Sequence, residues 1–400
     1  MINYSEALEI IKREISELKP GIEEIDLLDS YNRIIAEDVI ADVDLPPFDN
    51  SAVDGYALAF SERNEWKVKG EISAGNYSPV AISEDEAVLI TTGGKLPGNA
   101  DTVVPVEDVE INNGTLRLKP DVFFKKGLNI RRKGSDLELN KIAVPAFTKI
   151  KPKTAAAIAS CGREKVKVFS KLKFAVLATG DELIPVGEKP ANDKIRVSNI
   201  YSLYMAVKEQ NHSALNLGFV KDDRNLIKEK IRGVLESNID FLITTGGVSV
   251  GKYDFLKDVF EELGVRRKFW KVNIKPGKPI YFGVFENNDK KILIFGLPGN
   301  PVSSLVNYKV FIEPAIDYLF KQKETELITA VLQNNLKKRD GKRHFARGIL
   351  YEENGVWNVT SEFSQSSGNL VEMSASNCLI VLPEEIRNPQ KGDSVKCIKI

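Results

Sequence analysis

Histidine occurs only twice in this sequence, at His212 and His344, and neither residue lies in a ligand-spaced motif. Zinc triads and Ser-His-Asp catalysis both need a placed imidazole, so that chemistry is nearly excluded. Cysteine is almost as scarce. Cys161, Cys378 and Cys397 stand singly, which leaves no thiolate metal site and fits a reducing compartment. Net charge is missing as well, because 56 Lys plus Arg balance 56 Asp plus Glu. No global field therefore draws the chain to nucleic acid or to an anionic membrane, and any anionic ligand must be held by local groups. No run approaches the ~18 apolar residues of a membrane span. The N-terminal MINYSEALEIIKREI is amphipathic and acidic, unlike a basic and apolar leader. The expectation is a cytoplasmic protein, neither secreted nor membrane-spanning. Any metal should be a hard one on oxygen ligands, such as Mg²⁺.

What is present is texture that changes along the chain. At 400 residues the sequence exceeds one ordinary core and should form several domains. Residues 4–18 place Ala7, Leu8, Ile11, Ile15 and Leu18 at helical spacing, and Pro20 and Gly21 stop the helix. From 45 to 148 short β-type runs such as Ala87–Ile90, Thr102–Val106 and Thr115–Leu118 alternate with Gly, Pro and Asn turns. Residues 154–160 read as helix. Then Lys173–Ala178, Ala214–Val220, Ile239–Ile243 and Lys291–Phe295 are apolar runs of buried-strand length. Helix-like segments at 199–210, 224–237, 253–263 and 301–319 separate or follow them, the alternation of a doubly wound α/β domain. After 323 the β texture returns.

Three of the α/β runs end in glycine-rich loops: ATGDE (178–182), TTGGVSVGKYD (244–254) and LPGNPVS (297–303). Ligands of open parallel sheets bind outside the carboxyl ends of the strands, where helix N-termini attract anions. Gly246-x-x-x-x-Gly251-Lys252 approaches a phosphate-binding P-loop, but Tyr253 stands where that loop needs a hydroxyl for Mg²⁺. Acids follow the same strands: Asp181 and Glu182, Asp222 and Asp223, and Asp254. The segment RRKFWKVNIKPGKP (266–279) sets Lys275 and Lys278 in a proline-stiffened turn suited to a fixed oxyanion. Each feature alone also reads as a tight turn, a solvated acid or a solvated hairpin.

Taken together with PPFDNSAVDGYAL (46–58), LITTGGKLPGNADTVVPVE (89–107) and IRRKGSDL (130–137), these motifs resemble the molybdopterin molybdenumtransferases, the MoeA and gephyrin E-domain family. The resemblance implies a multi-domain α/β plus β protein. Residues 1–44 and 142–171 would form an elongated discontinuous domain, 45–141 an inserted β-rich domain, 172–322 a molybdopterin-binding doubly wound α/β domain, and 323–400 a small C-terminal β domain. It also implies a homodimer whose site is shared between subunits, with adenylylated molybdopterin and molybdate as substrates, Mg²⁺ as cofactor and AMP as product. A transient contact with molybdopterin adenylyltransferase is a further implied partner.

Residue by residue, Asp54, Thr92 and Asp136 resemble the family's functional residues from the inserted domain. Glu182, Asp254 and one of Asp222 or Asp223 resemble those of the α/β domain, and the implied metal ligands are drawn from these four candidate acids. Gly246, Gly247, Ser249, Lys275, Lys278, Pro298, Pro301 and Ser303 match the anion-side loops. Arg347 in HFARG and Ser367 in SQSSG resemble oxyanion contacts. The family's His-Gln-Gly-Ser stretch reads FSQSSG here, which leaves Ser366 as the alternative to Ser367. Other readings are a tungstate-inserting paralogue, a gephyrin-like scaffold without activity, and the pathway's adenylyltransferase, which should be a shorter single domain.

Overall fold

The computed structural model describes residues 1–76, 81–247, 255–287 and 290–400. The chain divides into two compact units, Glu24–Val168 and Met1–Glu23 with Phe169–Ile400. The first helix, α1 (Tyr4–Ile15), is capped by Asn3, whose side chain accepts the Glu6 amide, and it buries Ala7, Ile11 and Ile15 as the periodicity requires.

In the unit Glu24–Val168 a six-stranded sheet is built from β1 (Gly55–Leu58), β2 (Glu65–Ile72), β3 (Glu86–Ile90), β4 (Thr102–Pro105), β5 (Val109–Asn112) and β6 (Thr115–Leu118), in the order β4-β1-β3-β2-β6-β5. Alternate residues feed two apolar clusters, one around Tyr56, Leu58, Trp66 and Val104, the other around Ala57, Val88, Ile90 and Val103. That is the period of two of a strand covered on both faces. A third cluster joins Ile35, Val39 and Ala41 to Val144, Ile158 and Val168, bringing together segments on either side of the inserted sheet. Helix α2 (Pro152–Ser160) belongs to this discontinuous part and starts on a proline, where no amide is needed.

The second unit contains the α/β layer: β7 (Lys173–Thr179), α3 (Asn199–Glu209), β8 (Ser213–Val220), α4 (Arg224–Glu236), β9 (Phe241–Thr245), α5 (Leu256–Glu262), β10 (Arg266–Trp270), β11 (Tyr281–Glu286), β12 (Lys291–Leu297) and α6 (Pro301–Asn307). A π-helical turn, Tyr308–Ile312, links α6 to α7 (Glu313–Leu319). The sheet order is β8-β7-β9-β12-β11-β10. Its first four strands are parallel, β11 runs antiparallel to β12, and β10 runs antiparallel to β11. β9 is buried throughout, and β7 and β12 are buried except at Lys173 and the half-buried Lys291, which explains their unbroken apolar runs. β10 was not expected, because its basic residues hide the strand pattern.

The C-terminal part comprises β13 (Ile328–Leu332), β14 (Arg343–Glu353), β15 (Val356–Thr360), α8 (Leu370–Ala375), β16 (Cys378–Leu382) and β17 (Ser394–Lys399). β14 pairs with β16 through His344–Gly348 and with β15 through Ile349–Glu353. With β15–β13, β13–β17 and β17–β16, the ladder closes into a small barrel. The segment Ile274–Lys275 adds to its rim beside Arg343 and His344.

Helix α1 makes its contacts here. Glu14 bridges Lys268 and Lys291, and the Tyr4 ring lies 5.3 Å from that of Phe311 and 5.4 Å from that of Phe345. The first 23 residues therefore pack with the α/β and barrel parts. Periodicity identifies the buried face of a helix and says nothing of what covers it.

Candidate active site

A cavity of about 580 Å³ opens at the carboxyl ends of β7, β9 and β12. Thr179, Glu182, Gly246, Gly247, Pro298 and Asn300 line it, together with Gly368 from the loop before α8. Glycine is required in the middle loop. Gly246 and Gly247 have φ of 88° and 61°, and a Cβ on Gly246 would lie 2.3 Å from the Thr179 carbonyl oxygen. The close approach lets the Gly246 amide donate to Leu297 O at 3.2 Å, tying the loop to the end of β12. Thr179 is 4% exposed and its hydroxyl has no hydrogen-bond partner among the described residues, so one polar group lining the cavity is left unsatisfied by them.

The third loop is shaped by its prolines and by a serine that sequence reasoning missed. Pro301 opens α6, and Ser304 Oγ donates to Pro298 O at 2.5 Å. Ser303, named from the resemblance, is buried. The Val302 amide donates to Ser367 O at 3.1 Å, which joins this loop to the barrel part.

The acids separate into different roles. Glu182 lines the cavity, its carboxylate folded back over Gly180. Asp181 Oδ1 accepts the Asp222 amide at 3.2 Å. Asp223, one of the implied metal ligands, accepts the amides of Asn225 and Leu226, both at 2.9 Å, and is the N-cap of α4. One oxygen of that carboxylate is thus engaged in capping, a role that the bare acid pair could not reveal. Asp254 and Ser249 lie outside the described residues. Among the described residues no three His, Cys, Asp or Glu side chains are grouped closely enough to hold a metal by themselves.

Lys275 and Lys278 are exposed on a turn whose backbone is fixed. Asn307 Nδ2 donates to Gly277 O at 3.2 Å, and Lys278 O accepts the amides of Val272 and Ile280. Gly277 has φ of 94°, and its missing Cβ would lie 2.7 Å from the Asn307 carboxamide. Neither lysine has an ion-pair partner among the described residues, and Lys275 lines a second cavity with His344, Phe345 and Gln365.

Arg347, which the resemblance implies as an oxyanion contact, is buried. It is 1% exposed, and its guanidinium donates to Asn369 O at 2.8 Å and to Ser366 O at 3.0 Å, with Glu372 at 3.6 Å. The arginine is committed to shaping the strap 366–369, where Ser366 is exposed and Ser367 half-buried.

In the unit Glu24–Val168, Asp54 Oδ1 accepts the Thr92 amide at 2.6 Å and the Thr92 hydroxyl at 2.8 Å. These bonds hold the Asp54 carboxyl below the usual range. Asp136 pairs with Arg131 at 2.6 Å. Asp49, not singled out from sequence, accepts the Lys133 amide at 2.7 Å and pairs with Arg132 at 2.6 Å, fixing the loop that carries Asp136. The amide of Lys133 comes first among the causes that lower the Asp49 pKa.

Fold and site define a multi-domain α/β protein with a glycine-lined cleft at the carboxyl edge of its sheet. Comparison with known proteins makes this specific. Residues 2–162 match the MoeA N-terminal region (domain I and II), 175–318 a probable molybdopterin binding domain, and 329–400 the MoeA C-terminal region (domain IV). The molybdopterin molybdenumtransferase of Haemophilus influenzae is 36% identical over 381 residues, covering 93% of this chain and 92% of that protein. That of Bacillus subtilis is 31% identical, covering 98% and 93%. The crystal structure of the molybdopterin biosynthesis MoeA protein of Pyrococcus horikoshii superposes with a TM-score of 0.83 at 27% identity, covering all of both chains. The chain belongs to the molybdopterin molybdenumtransferase (MoeA) family, a family of enzymes of molybdenum cofactor biosynthesis.

Proposed function

We propose that this chain inserts molybdate into adenylylated molybdopterin with release of AMP, in a Mg²⁺-dependent reaction. The observation that carries this reading is the glycine-walled cavity, whose lining reaches Pro279, the residue after Lys278 on the rigid turn. The cavity suits a pterin phosphate, and Lys275 and Lys278 suit a tetrahedral dianion. Strap residues Ser366 and Ser367 would complete the oxyanion side, with Arg347 holding their backbone.

Mg²⁺ takes one or two carboxylates plus substrate phosphate oxygens, so Glu182 at the cavity wall fits that donor set without a three-acid cluster. Asp222 and Asp254 are the further acids proposed to hold it. When bound, Mg²⁺ would polarise the phosphoanhydride. The protein's own groups orient the two substrates and neutralise their charge.

The test is AMP release from adenylylated molybdopterin on addition of molybdate and Mg²⁺, expected with wild type and abolished in Asp254→Ala. Wild-type turnover in that variant at saturating Mg²⁺ would remove Asp254 from the mechanism. A homodimer with a shared site is part of the proposal. Mixing inactive Asp54→Ala and Asp254→Ala chains should then restore about a quarter of wild-type activity, since half the dimers are hybrids with one intact site each. Mixtures that exchange subunits and stay dead would refute sharing.

A further inference from the structure

We infer that Asn199 is a positioning residue that sets the spacing of the two cavity loops and thereby the affinity for the pterin phosphate. The inference rests on the reading that this cavity takes the pterin.

Asn199 is the first residue of α3, and an asparagine at a helix start ordinarily bonds to neighbouring backbone. Here it reaches far along the chain instead. Its Nδ2 donates to Gly299 O at 2.8 Å and to Thr245 Oγ1 at 3.3 Å, partners 100 and 46 residues away. A carbonyl oxygen can only accept, so the Gly299 contact fixes which end of the carboxamide is nitrogen. Two donors are then committed to two loops.

Thr245 is the last residue of β9 and leads directly into Gly246 and Gly247. Gly299 follows Pro298 at the end of β12. Through one side chain that is 8% exposed, the loop after β9 is clamped to the loop after β12. The loops touch, for a Cβ on Gly299 would lie 3.7 Å from the Gly246 Cα. Both line the same cavity, as does Asn199 itself. A site already held at the right width does not pay for ordering when its ligand arrives, so the clamp acts on binding. Lys275 and Lys278 stand on a turn held separately by Asn307, so oxyanion binding should not depend on Asn199.

The test measures binding of molybdopterin and of molybdate, separately, to the full-length protein by calorimetry, with the thermal midpoint of each variant recorded. Asn199→Ala should weaken molybdopterin about tenfold, since the two loops must then be ordered when the ligand binds. Molybdate affinity should stay within about twofold. Asn199→Asp, of the same size, sets an oxygen against the Gly299 carbonyl and should lose at least as much; it serves as the second variant if the alanine chain fails to fold. Thr245→Val keeps the shorter bond to Gly299 and should fall between wild type and Asn199→Ala. Unchanged molybdopterin binding in Asn199→Ala and Asn199→Asp overturns the inference and leaves the cavity reading standing. So does an equal loss for both ligands accompanied by a collapsed thermal midpoint, which marks a general structural role. Wild type that binds no molybdopterin overturns the cavity reading itself, and the inference with it.

Discussion

Thr92 gives its amide and its hydroxyl to one oxygen of Asp54, so a single carboxylate oxygen is satisfied twice by one residue. The arrangement favours the ionised form of Asp54 and lowers its pKa. Its folded pKa is lowered, so the stabilisation is present above the unfolded value and is lost as pH falls through the folded one. Thr92→Val keeps the amide and drops the hydroxyl. Its Asp54 should titrate closer to the ordinary aspartate value near ~3.9, and Thr92→Ser should restore the wild-type curve. Carboxyl NMR across pH 2–6 reads both. A Val variant that titrates like wild type would show that the amide alone sets the pKa.

Arg347 is expected to act through the strap and not on the oxyanion. Arg347→Ala leaves two carbonyls and Glu372 without their buried partner, which should cost about 2–4 kcal/mol in urea unfolding. Lysine cannot reproduce the fork and should recover only part of that. A stable alanine variant that loses molybdate affinity alone would restore the direct-contact role.

For Asp223 the cap predicts a pattern that a metal ligand would not give. Asp223→Ala should destabilise by about 1 kcal/mol, and Asp223→Ser, a good cap but a poor Mg²⁺ ligand, should recover most of it. The Mg²⁺ concentration for half-maximal AMP release should be unchanged in the serine variant. A marked rise would return Asp223 to the metal site.

Glu14 predicts an acid-sensitive attachment of α1. Burial pushes its pKa up, but the bonds from Lys268 and Lys291 outweigh this and hold it below the ordinary glutamate range. The ion pairs therefore stabilise the packing above the unfolded pKa and are lost as pH falls through the depressed folded value. Limited proteolysis should cut near residues 16–22 with increasing ease below pH ~4. Glu14→Gln should be cut readily at neutral pH, with little further change on acidification. Equal resistance of both chains at pH 7 would count against the prediction.

Much of this was legible because some residues have few alternatives. β7, β9 and β12 read as strands since a strand covered on both faces must be apolar along its length. The loops at 244–247 and 297–301 read as an anion site since glycine and proline there restrict the backbone strongly. What was hidden depends on partners distant in sequence. Asp223 and Asp222 look alike until one is seen capping a helix. Arg347 looks like a surface cation until its carbonyl partners are known. Asn199 and Asn307 carry no local signal, because what they hold lies 30 to 100 residues away.

β14 has a further consequence for the loop it supports. It changes partner between Gly348 and Ile349, so one strand is read against two neighbours in succession, like a rule laid between two scales. A slip of one residue would turn Arg347 away from the strap, towards the barrel interior that Ala346 and Leu350 now fill, and release residues 366–369. Such a slip must break both ladders together, since neither half of β14 can move alone. The small barrel thus works as a gauge, and what it measures out is the position of residues 366–369.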